Sequence, residues 1–178
     1  MKTIVLYISF IFLALPVLSQ IIYEGSVNSK YKTVQLDDGS IRYFNFDKKT
    51  NELHFNNIDG TTWKKVKIPL DANEYFEEVL LVSQKTINPD DLIEVAYTTE
   101  TFKSFPPNGE DPEANLDAVK YTLYIINEDG NSLLSVPDSH TMKLLTSNRK
   151  NKLLIYKNSK HGFRNDGETL VYTLPENN

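Results

Sequence analysis

Four of the seven glycines in this sequence follow an aspartate: Asp38-Gly39, Asp59-Gly60, Asp129-Gly130 and Asp166-Gly167. Asp-Gly between apolar or alternating segments is a strong hairpin signal. A two-residue type I′ turn needs positive φ at both central positions, and glycine adopts that conformation without steric cost. Three of the pairs open parallel phrases, TTWKKVKIP, NSLLSVP and ETLVYTLP, which end in Ile68-Pro69, Val136-Pro137 and Leu174-Pro175. Proline has no amide to continue a ladder, so it closes the strand. The repeating unit is therefore strand, Asp-Gly turn, strand, proline stop.

The segments before these turns are YKTVQL, SIRYFNF, ELHFNN, EVLLVSQ, LIEVAYTTE, YTLYIIN, TMKLLTS and KLLIYKN. All are short, bounded by turn residues and rich in β-branched and aromatic side chains, as strands are. Only ANEYFEEVLL has some helical spacing, and it falls where the cycle requires a strand. The expectation is an all-β domain of antiparallel meander repeats in three units, about 23–70, 75–137 and 140–175. Units of this length are propeller-like, but a closed propeller usually has at least four blades. Three units imply an incomplete or open array, or alternatively a β-sandwich built from the same meanders. An open array leaves edge strands free to pair, which predicts self-association, and Lys64, Lys65 and Lys67 are placed to guard such an edge. The middle unit is lengthened by FKSFPPNGEDPEANLDAV, read as a long exposed loop inserted at about 103–118.

The chain begins MKTIVLYISFIFLALPVLSQ, a single cation followed by an apolar run with Val17 and Ser19 at the small-residue positions of a cleavage site. This is the pattern of a secretory signal peptide over 1–19, and the run is shorter than the roughly 20 residues that span a bilayer. The mature chain would be one all-β domain, 20–178, secreted or periplasmic, with no membrane span after cleavage. There is no cysteine, so the fold rests on its core without disulfides, and a lipoprotein anchor is excluded. Losing Lys2 takes the formal net charge from −5 to −6. That balance argues against nucleic acid and against docking on anionic lipid, both of which call for basic surface.

The cycle IRYFNFD, LHFNNIDGTTWKKVKIP, VLLVSQKTINPDDLIEVAYT and YTLYIINEDGNSLLSVP resembles the propeller-like repeats of uncharacterised secreted proteins from Bacteroidota. Members of that group often carry a C-terminal sorting domain for type IX secretion. The phrase LVYTLPENN resembles the run-up to that domain, which is absent here, so the expected destination from the signal alone is the periplasm. The resemblance implies no agreed activity and no catalytic residues.

Chemical signatures are sparse. NNIDGTTWKK places Gly60, Thr62 and Trp63 as in the second half of the sialidase aspartate box, S-x-D-x-G-x-T-W, but Ile58 stands at the Asp position and Asp59 is one residue out of register. The expected structure is a hairpin with Trp63 packed in the core or between sheets. His54, His140 and His161 are scattered and form no triad or metal-ligand spacing. DPEANLD sets Asp111, Glu113, Asn115 and Asp117 at alternate positions like the start of a calcium loop, yet Leu116 occupies the glycine position and Thr122 the bidentate glutamate position. NPDDLIE, with Asn88, Asp90, Asp91 and Glu94, is a second acidic turn, and both read as solvated loops. The Asp111 group is kept only as a weak calcium candidate. No cofactor is expected, since phosphate and dinucleotide loops are missing.

The function these features favour is an exported, non-catalytic binding or surface-interaction module for an extracellular or envelope protein or glycan. The alternatives are a carbohydrate-active, glycosidase-like propeller enzyme and a structural remnant of a larger repeat protein. A binding surface is expected among Trp63, Tyr75, Phe76, Phe102, Phe105, Asp111 and Glu113, around the first hairpin, the start of the middle unit and the insertion.

Overall fold

The computed structural model describes residues 31–90, 92–102, 119–147, 150–157 and 167–175. They form eleven strands and, among the described residues, no helix: β1 (Lys32–Gln35), β2 (Ile41–Asp47), β3 (Glu52–Asn56), β4 (Thr62–Lys67), β5 (Glu74–Ser83), β6 (Glu94–Phe102), β7 (Val119–Asn127), β8 (Ser132–Pro137), β9 (Ser139–Ser147), β10 (Lys150–Lys157) and β11 (Thr169–Thr173). Within each sheet consecutive strands pair antiparallel, giving a first sheet β1-β2-β3-β4, a middle sheet β5-β6-β7-β8 and a third sheet β9-β10-β11. The three repeat units are these three sheets. Each is a meander of the kind a propeller blade uses, and none closes on itself.

The proline stops have a packing reason. Ile68, Val136 and Leu174, each just before a proline, are all buried. Ile68 donates its amide to the Asn51 carbonyl (2.8 Å), and Leu174 does the same to Asn151 (3.0 Å), so the first and third sheets end alike. The fourth strand of one sheet and the third of another thereby plant an aliphatic anchor before the chain turns away.

The Asp-Gly hairpins form, but not as type I′ turns. Gly39, Gly60 and Gly130 have φ near +80°, whereas their aspartates are not among the positive-φ residues. The amides of Gly39, Gly60 and Gly130 bond back three residues to Leu36, Asn57 and Asn127, and outer bonds join Leu36 to Ser40, Asn57 to Thr61 and Asn127 to Asn131. This is a type I turn completed by a left-handed glycine, the three-residue hairpin loop. The side chains explain the choice. Asp38 accepts from Ser40 N (2.8 Å) and Asp59 from Thr61 N (2.9 Å), which holds the aspartate in the turn with ordinary φ. Asp166 lies outside the described residues.

The sheets stack face to face. Phe44, Leu53, Phe55, Val66 and Ile68 of the first sheet pack with Val82, Val95, Tyr97 and Ile126 of the middle one. On the opposite face Ala96, Leu123, Ile125 and Val136 meet Leu153, Ile155 and Leu174 of the third. Rings cross the first interface in series: Phe46 stacks on Phe76 at 4.1 Å, Phe76 on Tyr97 at 6.1 Å and Tyr97 on Tyr124 at 5.4 Å. Polar ties reinforce it. Asp37, in the first hairpin, accepts from Ser83 Oγ and from the amides of Gln84, Lys85 and Thr86. Phe55 sits at the centre, fully buried, with Phe44 and Trp63 against its ring. Phe55→Ala should therefore cost about 3–5 kcal/mol in urea unfolding, while Ile58→Ala, at an exposed turn tip, should stay within about 0.5 kcal/mol.

Candidate functional site

The middle sheet is longer than the third sheet that covers it. Cross-strand partners share a face, so Ala96 with Ile125, and Leu123 with Val136, lie on the covered side. Four residues beyond Ala96 on β6, Glu100 stands between Tyr75 of β5 and Tyr121 of β7 in direct register. Beyond it Phe102 pairs with Val119, and these two residues are the last and first described around the insertion. Tyr75 and Phe102 are 55% and 50% exposed, with rings edge-on at 5.7 Å. On the far side Tyr121 meets His140, at the start of β9, at 5.4 Å.

A β-bulge supplies the last member of the group. Phe76 pairs with Thr99 and Glu78 with Thr98, leaving Glu77 as the extra residue on β5. A bulge redirects its side chain, and Glu77 accepts from Thr98 Oγ1 at 3.0 Å. Burial, then the charges of Glu77 and Glu100, push the Tyr121 phenol above its ordinary pKa. Three aromatic rings and two carboxylates thus share one uncovered end of the sheet.

Tyr75 and Phe102, from the sequence-derived set, come together here. Phe76 does not join them: it points the other way and stacks on Phe46 between the first and middle sheets. Trp63 is half-buried against Phe55, as expected for the hairpin reading, with the Arg42 guanidinium 4.9 Å over its ring. It is the extra residue of a bulge, because Phe55 pairs with Lys64 and Asn56 with Thr62. That bulge also turns Lys64 inward, where it bridges to Glu128 of the middle sheet rather than guarding the β4 edge. Lys65 and Lys67 remain exposed on that edge strand. Phe105, Asp111, Glu113, Asn115 and Asp117 lie outside the described residues. Tyr121, Glu100 and Glu77 were not singled out in the sequence, and only the strand register reveals them.

The second acidic turn is not a solvated loop throughout. Asp90 accepts from Asn88 Nδ2 (2.5 Å) and Leu92 N (2.8 Å). Glu94, however, is 1% exposed, and neither carboxylate oxygen has a hydrogen-bond partner among the described residues. Burial, then the neighbouring charges of Asp90, Asp37 and Glu128, push its pKa up to about 7. A raised carboxyl suits acid catalysis, but this one is buried at the start of β6. Among the described residues no group of three His, Asp or Glu is disposed to hold a metal ion. An apolar cleft of about 320 Å³ runs between the middle and third sheets, lined by Ile87, Leu133, Leu153, Tyr172, Leu174 and Pro175. No protein-family profile, curated protein or solved structure matches this chain.

Glu94 gives the fold a definite pH dependence. The unfolded chain ionises near 4.5 while the native carboxyl holds its proton to about 7, so the native state binds more protons between those values. Its contribution is fully present below pH 4.5 and is lost as pH rises to 7, roughly 3 kcal/mol in all. Asp37 acts in another window: burial raises its pKa, but the amides of Lys85 and Gln84 and the hydroxyl of Ser83 overcome this and hold it below 3.8, so its contribution is lost only on acidification. Urea unfolding of Glu94→Gln at pH 5 and pH 8 should show the variant gaining on the wild type by roughly 2.5 kcal/mol at the higher pH.

Proposed function

We propose that this chain is an exported, non-catalytic binding module that engages an extracellular or envelope protein or glycan through the uncovered end of its middle sheet. The observation that carries the proposal is the Tyr75–Phe102 pair: two exposed aromatic rings in edge contact, set at the base of the insertion. Phe46, Phe55, Phe76 and Tyr97 pack between the sheets, whereas Tyr75 and Phe102 are more exposed than the other edge-on pair at the surface, Tyr31 and Tyr43, and rings left in water on a strand pair favour a contact surface. Rigid strands hold the rings, while the polar insertion beside them supplies a segment that a partner can select. Aromatic anchors of this kind dominate binding energy where they become fully desolvated.

Export is part of the same proposal. It rests on the leader-like first nineteen residues. The likeness to secreted repeat proteins of Bacteroidota stands beside it, also as a proposal. Self-association is a further element: Ile41 and Tyr43 on the first sheet and Leu145 and Val171 on the third are exposed on the outer flanks of the stack.

The test is capture from envelope and extracellular extracts and on a glycan panel, comparing the wild type with Tyr75→Ala, Phe102→Ala and a replacement of residues 103–118 by a short linker. Each aromatic substitution should weaken capture about 30-fold, the effect of a binding hot spot of ~2 kcal/mol, with thermal unfolding unchanged. Capture that survives both substitutions would remove this surface from the proposal.

A further inference from the structure

The uncovered end of the middle sheet is not a plain aromatic patch. The carboxylate of Glu100 rises from the strand between Tyr75 and Tyr121, its direct neighbours on either side. Adjacent strands lie about 4.8 Å apart, so the carboxylate is flanked by two phenol rings on one face. Phe102 closes one end of this row through its contact with Tyr75, and His140 covers the far side of Tyr121. The bulge turns Glu77 onto the same face through Thr98. No Lys, Arg or His among the described residues forms an ion pair with Glu77 or Glu100, whereas Glu52 and Glu128 each have one.

Electron-rich ring faces together with carboxylates attract cations: the ring quadrupole and the fixed negative charge act in the same sense. A neutral sugar would use the rings but gain little from two carboxylates with no ion pair among the described residues, and an anion would be repelled by them. The wider charge distribution points the same way. Residues 1–138 carry twenty-one Asp and Glu against twelve Lys and Arg, whereas residues 139–178 carry three against seven. The strands of this face thus belong to the acidic three-quarters of the chain, a balance that favours positive ligands.

We propose that this face receives the ammonium or guanidinium of a lysine or arginine side chain from a basic segment of a partner protein. The cation sits over the rings of Tyr75 and Tyr121 against the Glu100 carboxylate, with Glu77 as the second anionic contact and Phe102 covering the side-chain methylenes. This rests on the binding-module reading and names the ligand class for its surface.

The experiment uses the full chain and two fluorescent octapeptides, one of lysine and one of arginine, with their acetyl-lysine and citrulline counterparts as charge-free controls. Anisotropy titrations at low and physiological salt should show binding by the charged peptides and at least tenfold weaker binding by the controls. Glu100→Gln and Tyr75→Ala should each weaken the charged peptides about tenfold, with thermal unfolding unchanged. Asp59→Asn, which removes the same charge from the distant β3–β4 turn, should leave binding as in the wild type. An equal loss in Asp59→Asn would reduce the effect to diffuse attraction and overturn the proposal. Indifference to Glu100→Gln, with glycan or extract capture still lost in Tyr75→Ala, would overturn the cation while leaving the binding surface standing. A wild-type chain that holds neither peptide nor any captured partner would overturn both.

Discussion

Strand β6 has no exposed side from Glu94 to Thr99, and the rest of the structure depends on that double burial. Val95 and Tyr97 face the first sheet, while Ala96 faces the third. A sheet apolar on one face needs one partner; a sheet apolar on both needs two. The middle sheet therefore orders the other two, each of which buries only its inward face. With no disulfide to restrain the unfolded chain, these two interfaces carry the stability, because apolar burial is the dominant favourable term.

The same arrangement creates the uncovered site and the sealed carboxyl. Strands β5, β6 and β7 run nine or ten residues, and the buried core they share with the third sheet takes in Ala96, Leu123, Ile125 and Val136. At one end of β6, Glu100 and Phe102 keep their register but, among the described residues, lie outside the core shared with the third sheet. At the other end the β5–β6 connection folds back, and Glu94 is shut in with Asp37, Asp90 and Glu128 around it. One strand thus carries a partly exposed carboxylate and a buried one, six positions apart.

The strands, the unit boundaries and the proline stops were legible because each has a local cause. Alternation of apolar residues, β-branched content and the missing proline amide act within a few positions. The turn type was less legible. Asp-Gly alone suggests a type I′ turn, but Ser40 and Thr61 bond back to the aspartates and favour the three-residue loop. The candidate surface was legible only in part. Tyr75 and Phe102 stand 27 positions apart in sequence, and two register shifts in β5 decide which of its side chains face which way. Phe76, one residue from Tyr75, therefore lies in the core. Lys64, grouped in sequence with Lys65 and Lys67, turns inward for the same kind of reason.

By itself, the sequence determined an all-β chain of three meanders, joined by glycine turns and closed by aliphatic-proline anchors. Those features follow from backbone sterics and from the two-residue period of a strand, which operate over distances the chain cannot rearrange. Tertiary structure alone decided which faces were covered, where the bulges fell and which aromatics were left in water. A bulge or a stacking offset of one row moves a side chain from core to surface, and that choice is made by packing between segments tens of residues apart. It is at that level that Tyr75, Glu100, Tyr121 and Phe102 become a single surface.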